Sequence, residues 1–232
     1  IMIVTIHQPD FLPWLGFFDR WGKSDLYIVL DDVQFLRRGW HHRDKIKAPN
    51  GVQWLTVPVI KKGRYHQLIN EVEIDNKDNW RQKHLKTLKF SYSKAPNVER
   101  IFNCIGKIYG LKHKLLIDFN MDLLKFCADI LEIKTSVVLA STFNVKSKSS
   151  QRLVELVKTV GGDTYLTGSA SKAYLDENEF KEAGIEVNWQ EFNHPVYPQL
   201  YNGFEKRLSV IDFFMMASKD DFKKFKPKDR RK

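Results

Sequence analysis

The sequence predicts an α/β domain in which a mostly parallel sheet is flanked by helices. Three observations carry this reading. Short β-branched and apolar runs with the composition of buried strands recur at 2–6, 27–30, 136–140, 164–166 and 185–192. Helically spaced segments separate them, and alternation of the two kinds favours parallel strands. Several of the strands end in polar corners, and in open α/β sheets ligands bind at strand carboxyl ends.

The first run, Met2-Ile3-Val4-Thr5-Ile6, stops at His7-Gln8-Pro9-Asp10. An amphipathic aromatic segment follows, with Phe11, Leu12, Trp14, Leu15, Phe17 and Phe18, and reads as a helix. With Pro9 and Pro13 stiffening the corner, His7 and Gln8 are placed for a ligand; turn capping is the competing reading. The second run delivers Asp31 and Asp32 to the same sheet edge if the two strands are parallel. Successive strand residues point to opposite faces, so only one of the two aspartates faces a ligand there. Gln34, Arg38, Trp40 and Arg43 come next. Arginine forks suit phosphate or carboxylate, and tryptophan offers a stacking face.

Further along, 54–60 reads as a strand, 61–64 as a turn and 68–74 as its partner strand. From about 77 to 133 the spacing is helical, through Trp80, His84, Leu88, Ile101, Ile105 and Ile108, with Pro96 and Gly110 as punctuation. Residues 151–160 form an amphipathic helix stopped by Gly161-Gly162. Thr167-Gly168-Ser169-Ala170-Ser171 is a small-residue turn whose backbone N–H groups could face an anion, though it lacks the Gly-Lys-Ser/Thr of a P-loop. Asn193-His194-Pro195-Val196-Tyr197-Pro198-Gln199 is rigid, aromatic and polar, as a pocket wall would be. Asp176 reads as a helix cap with Glu179 three residues on. Asp212 lies in an apolar helix and needs a partner; Arg43 and Arg207 are the candidates.

At 232 residues and 43% hydrophobic content the chain can bury a full core. The expected organisation is one α/β domain over 1–218 with the helical insert at about 77–133, followed by a basic, flexible tail at 219–232. That tail holds eight basic and three acidic residues, half of the net charge of +10. It could touch anionic lipid, but no nucleic-acid motif occurs in the body, so no specific nucleic-acid partner is expected. No run approaches the ~18 apolar residues of a membrane span, and no charged-then-apolar signal segment precedes the first strand. Cys104 and Cys127 sit on apolar helical stretches and read as core thiols of a reducing, cytoplasmic environment. No metal-ligand spacing stands out; His41 and His42 are adjacent and cannot share a helix face.

His7-Gln8-Pro9, Leu12-Pro13-Trp14, Gly16-Phe17-Phe18, Asp31-Asp32-Val33-Gln34-Phe35, Arg38, Trp40 and Arg43 together resemble the WbqC-like family. Further matches are Trp54-Leu55-Thr56-Val57-Pro58-Val59, Tyr165-Leu166-Thr167-Gly168, Tyr174-Leu175-Asp176, His194 to Gln199 and Leu208-Ser209-Val210-Ile211-Asp212. The chain departs from the pattern at His42 and Asp44, where asparagines are expected. The resemblance implies a bacterial surface-polysaccharide setting and amino-sugar modification. The strand, histidine corner, helix and second strand also resemble nucleotidyltransferase-like, Rossmann-like topologies, although the second histidine of that signature is absent from positions 10–13.

In this setting the expected activity is N-acyl or aminoacyl transfer to the amine of a nucleotide-linked amino sugar. His7 would act as base, Asp32 or Asp31 would orient it or bind the amine, and Gln8 and His194 would donate to the oxyanion. Arg38 and Arg43 would hold phosphates, and Trp40 and Tyr197 would stack. Gln34, Gly168, Ser169 and Gln199 complete the substrate-binding set. The donor is expected to be an acyl thioester, free or carrier-bound, rather than ATP with magnesium. The alternatives are an ATP-dependent amide ligase and a non-catalytic sugar-nucleotide-binding protein.

Overall fold

The computed structural model describes residues 1–225. Five strands, β1 (Ile3–His7), β2 (Leu26–Val29), β5 (Ser136–Leu139), β6 (Thr164–Thr167) and β7 (Glu186–Trp189), form one sheet in the order β5-β2-β1-β6-β7. Every pairing in it is parallel. From central β1 the chain moves outward through β2 and β5, then returns to build β6 and β7 on the other side. The order therefore reverses between β1 and β6. There the strands pair only at Ile3–Thr164 and Val4–Tyr165, whereas β1 and β2 pair at four positions. The carboxyl ends of β1 and β6 are left splayed.

Alternation along β1 divides the core. Val4 and Ile6 pack with Val154, Leu156 and Val157 of α5 (Ser149–Thr159) and Phe180 of α6 (Glu177–Glu182). On the opposite face, Tyr27 and Val29 meet Phe17, Phe18 and Trp21 of α1 (Leu15–Gly22). That larger cluster continues into α2 (Trp80–Ser91), α3 (Val98–Gly110), α4 (Leu116–Ile130) and α7 (Val210–Met216). The helical insert is thus one wall of the main core, as its apolar spacing requires.

The first helix begins only at Leu15, later than the aromatic run at Phe11 suggests. Pro13 disfavours helical backbone at Leu12. Leu12 instead takes a φ of 44°, held there by complete burial and by a hydrogen bond from Ser209 Oγ to its carbonyl.

The segment around Trp54 also departs from expectation. β4 (Gly51–Thr56) pairs backwards with β3 (Arg43–Ala48) in an antiparallel hairpin, not forwards with 68–74. The turn is Pro49-Asn50, closed by Gly51 at φ 108°, a conformation that suits glycine. Charge hides β3 in the sequence: Asp44 and Lys47 are both buried. Residues 68–74 form a 3₁₀ turn at Ile69–Glu71, with isolated bridges Gln34–Leu68 and Val59–Ile74 at its flanks.

Residues 219–225, expected in a flexible tail, are helical instead: α8 (Lys219–Phe225) packs Phe222 and Phe225 against Phe213. The rest of the expected tail, 226–232, lies outside the described residues. Cys127 is buried as expected, but Cys104 is exposed on α3. Among the described residues no helix is long and apolar enough to cross a membrane.

Candidate functional site

The splayed ends of β1 and β6 open into a cavity of about 370 Å³. Ile6, His7 and Gln8 line it from β1 and its corner, Tyr165, Thr167 and Gly168 from β6, and Arg20 from α1. Ser149, Arg152 and Leu153 of α5 close another side, and Ser171 and Tyr174 come from the turn after β6. This is the point of reversed strand order, where ligands bind in open α/β sheets.

His7 is half-buried. Its Nδ1 lies 3.0 Å from the Gln8 carbonyl, which can only accept, so Nδ1 carries the proton and Nε2 keeps its lone pair. Among the described residues Nε2 has no hydrogen-bond partner, nor does the Gln8 side-chain amide. Burial, with help from the Arg20 cation, lowers the His7 pKa below 6.5; the nearby Asp10 carboxylate opposes this. Asp10 Oδ2 stands 3.7 Å from His7 Nδ1, and Oδ1 is 3.1 Å from His41 Nδ1. Asp10, three residues after the histidine, is therefore the carboxylate near His7, acting on it through charge rather than through a hydrogen bond.

Arg20 is the second feature. Its side chain is buried, its Nη1 donates to Gln190 Oε1 at 3.2 Å, and no carboxylate among the described residues lies within ion-pair distance. Asp19 reaches Arg20 only through Gln190, whose Nε2 donates to Asp19 Oδ2 at 2.7 Å, and Asp19 is itself paired with Lys23 at 2.9 Å. A cation withdrawn from water without a carboxylate, on a cavity wall, suits an anionic ligand. Arg152 is differently placed. It donates to Asp32 Oδ2 at 2.6 Å and to the Val145 carbonyl, so it meets the cavity as half of an ion pair. Thr167 Oγ1 donates to Ser171 Oγ at 3.0 Å, which in turn sits 2.9 Å from the Tyr174 hydroxyl.

The site residues expected from sequence divide into three places. His7, Gln8 and Gly168 line the cavity, with Asp32 behind Arg152 and Ser169 in the adjoining turn. Asp31 does not line it: its carboxylate accepts from the Ser141 N–H at 2.9 Å and from Asn70 Nδ2 at 3.3 Å, tying β2 to two neighbouring turns. Arg38, Trp40 and Arg43 form a surface of their own with the β3–β4 hairpin: Arg43 lies over the Trp54 ring at 4.5 Å and donates to the Arg38 carbonyl. Gln34 donates to the Tyr65 carbonyl nearby.

His194, Tyr197 and Gln199 build a third cluster. The His194 ring stacks on Trp14; its Nδ1 donates to the Pro195 carbonyl and its Nε2 accepts from the Arg207 N–H. Both nitrogens are engaged locally, which makes His194 a structural histidine rather than an oxyanion donor. Tyr197 is buried with its hydroxyl on Asp212, so it offers no stacking face. Asp212 has neither arginine as partner. It accepts from Tyr92 and Tyr197, each at 2.8 Å, while Gln199 Oε1 accepts from buried Lys47. Of the two departures from the family pattern, His42 accepts from Lys61 Nζ at 3.2 Å, and the Asp44 carboxylate accepts from the Lys45 N–H.

Arg20 and Arg152 carry no signal in the sequence, whereas Ser171 and Tyr174 fall within motifs it does show. Arg20 looks like an ordinary helix-terminal arginine, and only the return of the chain to β6 brings it beside Gly168.

The model of the WbqC-like protein family matches residues 8–224. The uncharacterized protein Rv1507c of Mycobacterium tuberculosis is 35% identical over 211 residues, covering 90% of this chain and 91% of that protein. No solved structure matches the chain. With the family model spanning nearly every element that surrounds the cavity, the chain belongs to the WbqC-like protein family.

Proposed function

We propose that the protein is a group-transfer enzyme of glycan biosynthesis that acylates the amine of a nucleotide-linked amino sugar in the β1–β6 cavity. The observation that carries the reading is the pairing, in one cavity, of a neutral histidine with a free Nε2 and a buried arginine without a carboxylate. Arg20 would take a phosphate of the substrate. The amino terminus of α5 at Ser149 adds positive potential at the opposite wall, where Arg152 is neutralised by Asp32. His7 Nε2 would remove a proton from the amine as the new C–N bond forms, while the C–S bond of an acyl thioester breaks. The proton then passes to the departing thiolate. The free Gln8 amide is the candidate donor to the developing oxyanion. Asp32 holds Arg152 and takes no part in proton transfer.

The test is incubation with nucleotide-linked amino sugars and acyl thioesters, followed by mass spectrometry of the sugar nucleotide. The expected result is acylated product that His7→Gln forms far more slowly, although ligand still protects the variant against heat unfolding. Ligand protection without turnover in the native protein would leave a binding protein.

A second reading is ATP-dependent amide ligation, which rests on the resemblance of the strand, histidine corner, helix and second strand to nucleotidyltransferase-like folds, a resemblance of topology more than of ATP use. It requires release of pyrophosphate from ATP that depends on both a carboxylate and the amine.

A further inference from the structure

The hairpin surface separated from the cavity has its own chemistry. Between residues 36 and 64 the chain carries eight cationic residues, of which Lys47 is buried and Arg64 is paired with Glu73, and one acidic residue, Asp44, which is buried. The cations lie against exposed aromatic rings in two groups. Arg37 lies over the Tyr65 ring at 5.1 Å and donates to the Lys61 carbonyl. Arg43 lies over Trp54, Trp54 stands 5.4 Å from Trp40, and Lys45 lies over both indoles. Among the described residues none of Arg37, Arg38, Arg43, Lys45 and Lys61 has a carboxylate within ion-pair distance. The repulsion is felt inside the patch: after burial, Arg37 and Arg43 are what lower the Lys61 pKa.

Unneutralised cations ask for an anionic partner, and the apolar groups among them say which kind. Leu36 is 56% exposed, Val52 43%, Trp40 45%, Trp54 42% and Tyr65 63%. Val52 and Trp54 share the outer face of β4, opposite Lys47 and Lys45 in the register. Base or sugar stacking needs a free ring face. Trp54 already has Arg43, Lys45 and the Trp40 ring against it. Leu36 and Val52 offer nothing to a polyanion in water, but they gain from burial at a headgroup boundary, where tryptophan and tyrosine also settle.

We propose that the 36–45 loop and the β3–β4 hairpin form a peripheral membrane-docking surface, with the cations on anionic lipid headgroups and Leu36, Trp40, Val52 and Trp54 in the interface. The site is distinct from the cavity and does not depend on what the cavity catalyses.

The test is co-sedimentation of the full chain with phosphatidylcholine vesicles and with mixed phosphatidylcholine–phosphatidylglycerol vesicles. Three full-length variants accompany it: Trp40→Ala with Trp54→Ala, Arg43→Gln with Lys45→Gln, and a control in which Lys226, Lys228, Arg230, Arg231 and Lys232 become glutamine. Thermal unfolding confirms that each variant folds. The expected result is binding to the anionic vesicles alone, weakened by salt, with about a fivefold loss per hairpin cation removed. The indole variant should lose a comparable amount. Three outcomes overturn the proposal: no vesicle binding, binding unchanged in both hairpin variants, or binding abolished by the C-terminal control alone. Hairpin-dependent binding to a soluble polyanion such as heparin, without vesicle binding, also overturns it and assigns the surface to a polymer.

Discussion

Gly168 leaves the end of β6 open to Arg20: a Cβ at that position would stand 2.7 Å from the guanidinium Nη1. The contact is with the far end of a flexible side chain, so Gly168→Ala should fold and push Arg20 aside. If Arg20 holds the anionic part of the ligand, affinity falls in Gly168→Ala and falls further in Arg20→Gln. The loss expected on removing one charge-assisted hydrogen bond is about 1.5–3 kcal/mol, or roughly ten- to a hundredfold. Calorimetric titration with a sugar nucleotide measures it. Unchanged affinity in both variants would place the anion elsewhere.

If His7 is the base of the proposed reaction, it sets the acid limb of activity. Its proton acceptor exists only in the neutral ring, and its pKa lies below 6.5 in the folded protein. Turnover should therefore rise with pH through a value below 6.5 and be flat at neutrality, as far as this group governs it. Replacing Asp10 by Asn removes the carboxylate that raises the His7 pKa, so the limb should move to still lower pH. His7→Gln should cost about 10²–10⁴ in kcat with KM little changed.

Stability should respond to pH through His84. Its Nε2 donates to the Thr56 carbonyl and its Nδ1 accepts from the Tyr109 hydroxyl, an arrangement that needs the neutral ring. Burial lowers its pKa from 6.5 to about 4. Between those values the unfolded chain binds the extra proton. The contribution is therefore complete above pH 6.5 and is lost as pH falls towards 4, by on the order of 3 kcal/mol. Burial raises the carboxyl pKa values of Asp44 and Asp212, which act with the opposite sign above pH 3.8. The histidine part is read from the difference in denaturant midpoints between the native protein and His84→Gln across that range. Parallel profiles would remove His84 as the cause.

Asp212 is the anchor of the closing segment. Tyr92 of the insert and Tyr197 of the 193–199 loop both donate to it within a fully buried cluster. Asp212→Asn turns one of these acceptors into a donor facing a hydroxyl and should destabilise by about 1–3 kcal/mol. Tyr92→Phe and Tyr197→Phe should each cost about 1 kcal/mol, with non-additive loss in the double variant because they donate to the two oxygens of one buried carboxylate. Strict additivity in chemical denaturation would show that the two hydrogen bonds are independent.

Hydrophobic pattern alone was enough for the strands β1, β2, β5, β6 and β7, for the helical insert and for the location of His7 and Gln8 at a strand end, because periodicity and breakers are local properties of the chain. The cap at Asp176 was legible for the same reason, and its side chain does accept from the Asn178 N–H. The hairpin strand β3 was not, since Asp44 and Lys47 are polar residues buried by distant partners. Nor could sequence separate Asp31 from Asp32: Ser141 claims the first and Arg152 the second, each more than a hundred residues away. Tertiary structure alone brought Arg20 to Gly168, sent His194 to Trp14 and divided one expected site into a cavity, a surface and a buried latch. The reason is physical: a strand end and its polar corner are specified by neighbouring residues, whereas the partner of a charge is specified by where the sheet order returns the chain.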